Sequence, residues 1–432
     1  VVAQGVLSVS NAVINESVLS FLGLGDPLAI SWGMMLNFAF ARAISRGAWW
    51  FLLPPGFAIV WVSLSVILIG TALEEIVNPR LTTHHLFDPR RMVQVVKGPV
   101  PAMHEESLIL SVDNLTVDYL TDEGVPLRAV EDVSFRLTQG QSLGIVGESG
   151  CGKTTIMLAL LRLLPEAGRI VEGQVIFEGE DLLHYSEGGM CAIRWDDLSI
   201  VSQGAMCCLN PVRTVESQII EALMHHKTVG TRRAARERTA ELLDLVGITA
   251  ARGGQYQHEY SGGMRQRAII AMALACNPKI LIADEPTTAL DVMIQAQITE
   301  LLKALRSRLN LTLILVTHDL GVVAEICDEV LVMYGGKVAE YGSSDAIYNH
   351  ARHPYTQCLL RAFPDVDNLD AELVSIPGVP PRLDSLPEGC RFSPRCHLCE
   401  EICLGSHPPM RQIDTHHSTA CYVAARSLGG QQ

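Results

Sequence analysis

Hydrophobic and polar positions divide this chain into stretches of different character. Val1–Leu24 is apolar with a single charge, Glu16; Gly25–Gly47 is mixed; Trp49–Leu73 is almost wholly apolar, with no charge before Glu74. A run of about 20 apolar residues is long enough to cross a bilayer. Trp49 and Trp50 stand where an interfacial aromatic belt would lie. Pro54 and Pro55 suit a first helical turn or a kink, so a straight span is predicted over Gly56–Leu73. Arg80, Arg90, Arg91 and Lys97 follow it and place its C-terminal side in the cytoplasm. Asn11, Asn15 and Glu16 interrupt the first apolar run, which makes it the weaker span. Val1–Val13 lacks the charged n-region and small-residue cleavage site of a signal peptide. Residues 78–106 are rich in Pro, His and basic residues without periodicity, and read as a linker.

From Leu108 the pattern changes. Leu108–Val112, Leu115–Tyr119, Val133–Leu137, Val171–Phe177 and Leu198–Val201 read as short strands. Val215–Val246 has a helical pattern, with Arg232–Arg238 on a solvated face. Lys279–Ala283 and Leu311–Val316 are continuous apolar runs of strand length, which fit strands buried on both faces of a parallel sheet. Helical segments between such strands predict an α/β fold. From Pro364 the chain turns loop-like and rich in Pro, Gly and Cys, and no internal repeat is visible.

The candidate chemistry falls on the ends of these strands. Gly147–Thr154 reads Gly-Glu-Ser-Gly-Cys-Gly-Lys-Thr, a complete G-x-x-x-x-G-K-[ST] loop between the apolar run Ser142–Val146 and the helix-like run Thr155–Leu164. Its glycines let backbone N–H groups form an anion nest, and the helix start adds positive partial charge. Lys153 would reach the β- and γ-phosphates, and Thr154 would offer a hydroxyl to Mg²⁺. Ile280–Asp284 is an apolar strand ending in a carboxylate that can hold Mg²⁺; Glu285, next in the chain, is placed to orient and polarise water. Tyr260–Arg267 reads Tyr-Ser-Gly-Gly-Met-Arg-Gln-Arg. Ser261 can cap a helix and contact phosphate, while Gly262 and Gly263 allow close backbone approach. Two phosphate-reading elements in one chain suggest two molecules clasping nucleotide between them.

Charge and cysteine content narrow the picture. The net charge is −14, with no dominant basic stretch, which argues against a general nucleic-acid binder. Five of the twelve cysteines, Cys390, Cys396, Cys399, Cys403 and Cys421, fall in the last tenth of the chain. Nucleotide-binding motifs imply a reducing cytosol, where such clustering reads first as a metal or cluster site.

The order Gly147–Thr154, Gln203, Ser261–Gln266, Asp284-Glu285, Ala289-Leu290-Asp291 and His318 resembles the ATP-binding-cassette (ABC) ATPases, over Leu108 to about Arg361. The resemblance implies a P-loop RecA-like core with a helical subdomain, and two cassettes dimerised head to tail so that the Ser-Gly-Gly turn of one completes the site of the other. It implies ATP and Mg²⁺ as ligands, with Gly147, Ser149, Gly150, Gly152, Lys153, Thr154 and Thr155 around the phosphates. Thr154, Gln203 and Asp284 would serve Mg²⁺, and Tyr119 would stack on adenine. Ser261, Gly262, Gly263, Gln266 and Asp291 would complete the nucleotide site. Glu285, His318, Lys153 and Gln203 would carry catalysis, His318 on the γ-phosphate and Gln203 sensing both Mg²⁺ and the membrane partner. Gly204 and Ala205 stand where the family usually has an acidic residue and proline, and Tyr260 where leucine is usual.

His353-Pro354-Tyr355-Thr356, Ile376-Pro377-Gly378 and Cys390–Cys403 look like the C-terminal extension of oligopeptide/dipeptide importer ATPases, a subfamily that also serves nickel and glutathione uptake. Cys390, Cys396, Cys403 and Cys421 match the extension's four-cysteine pattern, which implies a [4Fe-4S] cluster. On ligand type alone, four thiolates suit Fe–S and Zn²⁺ equally. Cys399 is a fifth thiol, and His397 and His407 are spare ligands. Glu16–Gly25, Ser31–Leu36 and Trp49–Leu81 look like the tail of the matching permease subunit.

The implied organisation is a permease-like segment with two transmembrane helices (1–77), a linker (78–106), an ABC ATPase domain (107–350) and a Cys-rich extension (351–432). The implied function is the energy-coupling ATPase of a peptide-type importer. Its partners would be a second cassette (copy or paralogue), permease subunits, an extracytoplasmic substrate-binding protein and the inner membrane, with the ATPase on the cytoplasmic side and no nucleic acid. A soluble cassette ATPase acting on DNA or ribosomes would show a coiled-coil insertion or paired cassettes. A redox or metal sensor would use the cysteine-rich end as its working part.

Overall fold

The computed structural model describes residues 2–25, 30–46, 49–77, 108–121, 123–204, 208–288, 290–362 and 376–426. The expected linker 78–106, the onset of the loop-like region at Pro364, Ala205 and Ala289 lie outside the described residues. The chain divides into two compact units, Val1–Phe87 and Asp88–Gln432.

In the first unit three helices follow one another: α1 (Val2–Phe21), α2 (Trp32–Arg46) and α3 (Leu53–Val77). Pro54 and Pro55 sit in the first turn of α3, where a missing N–H costs no helical hydrogen bond. Gly33 lets α2 close on α1, since a Cβ there would stand 2.3 Å from the Ser17 carbonyl oxygen. The Asn37 amide then donates to the Phe21 carbonyl at 2.6 Å. Two spans are expected from the sequence. Among the described residues one segment, Trp49–Val66, is long and apolar enough to cross a membrane. The first apolar run supplies α1, within which Ala12–Phe21 is a shorter apolar helix, and the mixed stretch after it supplies α2.

The second unit begins with β1 (Leu108–Leu120), β2 (Pro126–Thr138), β3 (Ser142–Val146), α4 (Lys153–Leu160), β4 (Gly168–Phe177), β5 (Glu180–Asp181), α5 (Glu187–Ile193) and β6 (Leu198–Val201). It continues through α6 (Val215–His225), α7 (Arg232–Leu245), α8 (Gly262–Ala273), β7 (Ile280–Asp284), α9 (Val292–Leu309), β8 (Thr312–Val316), α10 (Leu320–Ile326), β9 (Glu329–Tyr334) and β10 (Lys337–Ser343). The last elements are α11 (Ser344–His350), α12 (Pro354–Arg361), α13 (Glu401–Gly405), β11 (Arg411–Asp414), β12 (His417–Thr419) and α14 (Tyr422–Arg426).

Two expected strands, Leu108–Val112 and Leu115–Tyr119, are one strand. Its register slips around Asn114, which takes a left-handed φ of 53°, so a bulge rather than a turn separates the two apolar runs. The expected helix Val215–Val246 is two. Lys227 turns left-handed (φ 56°) after α6, and the Thr231 hydroxyl caps α7 by accepting from the Ala234 amide.

A four-stranded antiparallel sheet, β2-β1-β4-β5, accompanies an eight-stranded sheet ordered β11-β12-β10-β9-β3-β8-β7-β6. The strands β9, β3, β8, β7 and β6 run parallel, and every residue of β3, β7 and β8 is buried, as their unbroken apolar runs demand. Register aligns Ile145 with Val316 and Asp284 with Val316, so the loops leaving β3, β8 and β7 meet at one edge of the sheet. Ligands of open α/β sheets bind at that carboxyl edge. The far end of the sheet departs from the sequence reading: β12, from the region expected to be loop, pairs with β10. Strands of three and four residues are too short for alternation to reveal them. Buried Glu340 on β10 fastens the join, accepting from the His353 amide at 3.1 Å and meeting His417 Nε2 at 2.7 Å.

Candidate functional site

The loop between β3 and α4 owes its shape to three glycines. Gly147, Gly150 and Gly152 have φ of 150°, 81° and 104°, and a Cβ on Gly147 or Gly152 would stand 2.3 Å or 2.7 Å from the carbonyl oxygen of Met333 or Ala129. Gly152 caps α4 without a side-chain acceptor, so the first N–H groups of the helix remain directed at the loop. Lys153 is buried, and its ammonium donates to the carbonyls of Gly147 at 2.7 Å and Glu148 at 3.0 Å. The Thr154 hydroxyl donates to Asp284 at 3.4 Å. The Tyr119 hydroxyl lies 3.4 Å from that of Thr155, so β1 brings an aromatic ring to the same helix start.

Asp284, only 1% exposed, keeps one carboxylate oxygen with no hydrogen-bond partner. Burial, and then the neighbouring charge of Glu285, pushes its carboxyl up to about 6. A buried, under-bonded carboxylate oxygen beside a threonine hydroxyl is a hard-oxygen donor set that fits Mg²⁺.

Glu285 takes a left-handed φ of 47°, with its amide donating to the Val316 carbonyl at 2.7 Å. Its carboxylate accepts from Gln203 Nε2 at 2.8 Å and Thr288 Oγ1 at 3.0 Å, and meets His318 Nδ1 at 3.2 Å. Burial pushes this carboxyl up, but hydrogen bonds from His318 and Thr288 and the charges of His318 and Lys153 outweigh it, leaving Glu285 below the usual carboxylate range. Gln203, Glu285 and His318, far apart in sequence, thus converge. Thr288 was not singled out from the sequence, although its place three residues after Glu285 is the spacing at which a threonine hydroxyl reaches back across a turn.

The Ser261 hydroxyl caps α8, accepting from the Met264 amide at 3.3 Å, and Asp291 caps α9, accepting from the Ile294 amide at 2.9 Å. Gly263 also has a packing reason, for its Cβ would stand 2.6 Å from the Ile294 side chain. Gln266 is buried. Among the described residues no hydrogen bond joins Ser261, Gly262, Gly263, Gln266 or Asp291 to the Gly147–Thr155 cradle of the same chain.

Cys390, Cys396, Cys403 and Cys421 line one pocket with His353 and Phe392, while Cys399 is exposed and outside it. His407 lines a neighbouring pocket. Burial, reinforced by the other thiols, pushes Cys390 and Cys396 up to about 11. No three of these sulfurs lie within 4.8 Å of one another. Zinc bonds of about 2.3 Å would hold tetrahedral sulfurs about 3.8 Å apart. One donor group of mixed type escaped sequence reading. Asp196, His226 and Cys276 gather within 4.8 Å because the ends of α6 and α8 meet the turn before β6.

Residues 130–288 match the ABC transporter family, and residues 339–403 match the C-terminal region of oligopeptide/dipeptide transporters. The oligopeptide transport ATP-binding protein OppD of Haemophilus influenzae is 48% identical over 322 residues, covering 74% of this chain and 98% of that protein. The chain belongs to the ABC ATPases of the oligopeptide/dipeptide transporter family. The dipeptide transport ATP-binding protein DppD of Bacillus subtilis is 46% identical over 318 residues, covering 73% of this chain and 94% of that protein. A solved dimeric ATP-binding cassette in a post-hydrolysis state bound to ADP and Pi aligns with a TM-score of 0.50 and 27% identity, over 55% of this chain and 99% of that one. This ABC ATPase hydrolyses ATP.

Proposed function

We infer that this ABC ATPase is the energy-coupling subunit of an importer of di- and oligopeptides. The observation that carries the reading is the meeting of Lys153, Thr154, Asp284 and Glu285 at one sheet edge in a chain that also bears the oligopeptide/dipeptide C-terminal region. The amides of Ser149, Gly150, Gly152, Thr154 and Thr155 cradle the phosphates, and Lys153 draws charge from the β- and γ-groups. Tyr119 offers its ring to adenine. Thr154 and Asp284, with Gln203 alongside, would hold Mg²⁺, which would neutralise phosphate charge. Glu285 orients the attacking water and takes its proton; His318 contacts the γ-phosphate. Preorganised charge of this kind supplies most of the barrier reduction in phosphoryl transfer. Ser261, Gly262, Gly263, Gln266 and Asp291 serve the nucleotide of a second cassette, which accounts for their separation from this chain's own cradle. Closure around ATP and reopening after hydrolysis drive the permease subunits.

Several finer features belong to the same reading. Residues 1–77 form a permease-like segment fused to the cassette (107–350), with α3 in the inner membrane and the cassette on its cytoplasmic face. The exposed Trp49, Trp50, Phe57, Trp61 and Leu64 support lipid contact. Residues 351–432 form the extension, whose Cys390, Cys396, Cys403 and Cys421 would hold a metal group. The extension's four-cysteine pattern points to a [4Fe-4S] cluster, with zinc as the alternative on ligand type, and the visible spectrum of anaerobically purified protein separates the two. An extracytoplasmic binding protein delivers cargo.

Purified from membranes with its associated subunits and reconstituted in liposomes, the chain is expected to hydrolyse ATP severalfold faster when a peptide-loaded binding protein is present. Stimulation by nickel or glutathione alone would move the cargo assignment; no stimulation by any solute would overturn the importer reading. Asp284 adds a pH test. Its carboxyl, raised to about 6, is ionised at pH 7.5 and mostly protonated at pH 5.5. The half-saturating Mg²⁺ concentration for nucleotide binding should therefore rise about fourfold between those pH values. Since the folded value lies above the unfolded one, the ionised group opposes folding at neutral pH, and that cost fades as pH falls through 6. A flat Mg²⁺ requirement across the range would remove Asp284 as a ligand.

A further inference from the structure

The cysteine-rich extension grips the phosphate loop itself. Arg395 forms a two-pronged ion pair with Glu148, the second residue of the loop, Nη1 to Oε2 at 2.6 Å and Nη2 to Oε1 at 3.0 Å. The Arg395 side chain is 5% exposed, and its other donors are fixed, Nε on the Pro377 carbonyl at 2.7 Å and Nη1 on the Tyr334 hydroxyl at 3.0 Å. The Glu148 amide donates to the Tyr355 hydroxyl at 2.9 Å, and its carbonyl accepts from Lys153 at 3.0 Å. Carboxylate, amide and carbonyl of one loop residue are thus all tied, the first two to the extension. Charge-assisted forked pairs of this kind fix geometry as well as adding energy.

Both holding residues sit on segments that line the thiol pocket. Cys396 follows Arg395 directly, and Ser393 and Phe392 on the same stretch line the pocket. His353 and Pro354, which lead into Tyr355, line its other side. The Phe392 ring joins the two stretches, 5.4 Å from the Tyr355 ring and 5.1 Å from that of Tyr334. The thiol pocket and the Glu148 contacts thus share the same two stretches of chain.

We propose that Arg395 and Tyr355 are positioning residues that set the phosphate loop's affinity for nucleotide and couple it to the state of the Cys390–Cys396–Cys403–Cys421 pocket. The proposal rests on the reading of Gly147–Thr154 as the nucleotide cradle. It makes the extension part of the cassette's control. Without Arg395 the Glu148 carboxylate is released next to the place where phosphate charge must settle, and the loop amides lose their fixed direction.

The test measures binding of a fluorescent ADP analogue to the full chain. Arg395→Gln should raise Kd about 10-fold, within the range typical of coupling between sites. Arg395→Lys should fall between Gln and wild type, because a point charge cannot reproduce the fork. Tyr355→Phe, which removes one hydroxyl and keeps the ring, should weaken binding in the same direction and serves if Arg395→Gln does not fold. A merely structural role would reduce the number of binding sites while leaving the Kd of the folded fraction unchanged, and that result would overturn the proposal. Linkage is reciprocal. Saturating ADP should therefore slow iodoacetamide modification of Cys396 in the protein as isolated, with exposed Cys399 as the internal reference, and should not do so in Arg395→Gln. Equal Cys396 modification with and without ADP would remove the coupling. If the wild type bound no nucleotide, the cradle reading would fall; if it bound and Arg395→Gln bound equally well, only this proposal would.

Discussion

Glu285→Gln is expected to stop turnover and leave nucleotide binding in place. The carboxylate is held by Gln203, Thr288 and His318, three groups from three parts of the chain. A glutamine of the same length can keep part of that network, so the loop around it should not collapse. What it loses is the charge. His318, Thr288 and Lys153 keep Glu285 ionised against the pull of burial, so the wild-type group is a ready acceptor throughout the neutral range. A neutral amide can neither accept the proton of an attacking water nor polarise it. Loss of a general base costs about 10²–10⁴ in rate, and kcat should fall by that factor. The Kd for ATP should stay within about threefold of wild type, too small a change to count as a lost binding group. With hydrolysis blocked, a second cassette joined through bound ATP should persist, so size-exclusion chromatography in Mg·ATP should show a larger species than in ADP. Hydrolysis at the wild-type rate would strip Glu285 of its role.

The shape of the Gly147–Thr154 loop was legible in the sequence because its demands are local. The strand Ser142–Val146, the glycines and the lysine follow one another, and each geometric demand falls on a residue a few positions away. Asp284 was legible for a similar reason, at the end of an apolar run whose burial on both faces is total. What stayed hidden is tertiary. Nothing in the spacing of Glu148 and Arg395, which the chain separates by 247 positions, signals that they pair. Thr288 and the Asp196–His226–Cys276 group became visible only once helices and strands were packed. Helix ends were misjudged where a single non-glycine residue turned left-handed, at Arg162 after α4 and at Lys227 after α6. Neither residue type advertises that conformation. The exposed apolar surface of α3 is legible as a run of letters, but which residues face outward required the helix.

Lys153→Ala should be the most damaging single change to the cradle. The ammonium is enclosed by the loop and donates to the carbonyls of Gly147 and Glu148, so it braces the loop in addition to the phosphate contact proposed for it. On the proposed nucleotide reading, its removal takes the positive charge nearest the β- and γ-phosphates and frees two carbonyl dipoles whose negative ends would oppose the same phosphates. Truncating one side of a desolvated charge contact costs about 2–5 kcal/mol, or about 30- to 5,000-fold in nucleotide affinity. Isothermal titration with ATP should place the variant in that range, and hydrolysis at fixed, wild-type-saturating ATP should fall below detection. Lys153→Arg should fare little better. The pocket that receives the side chain is enclosed, with Lys153 only 7% exposed, and a planar fork cannot occupy the space of a compact ammonium. The two variants together separate charge from shape. Full recovery by arginine would mean that charge alone matters at this position, and unchanged ATP affinity in Lys153→Ala would mean that the loop holds nucleotide by its backbone amides alone.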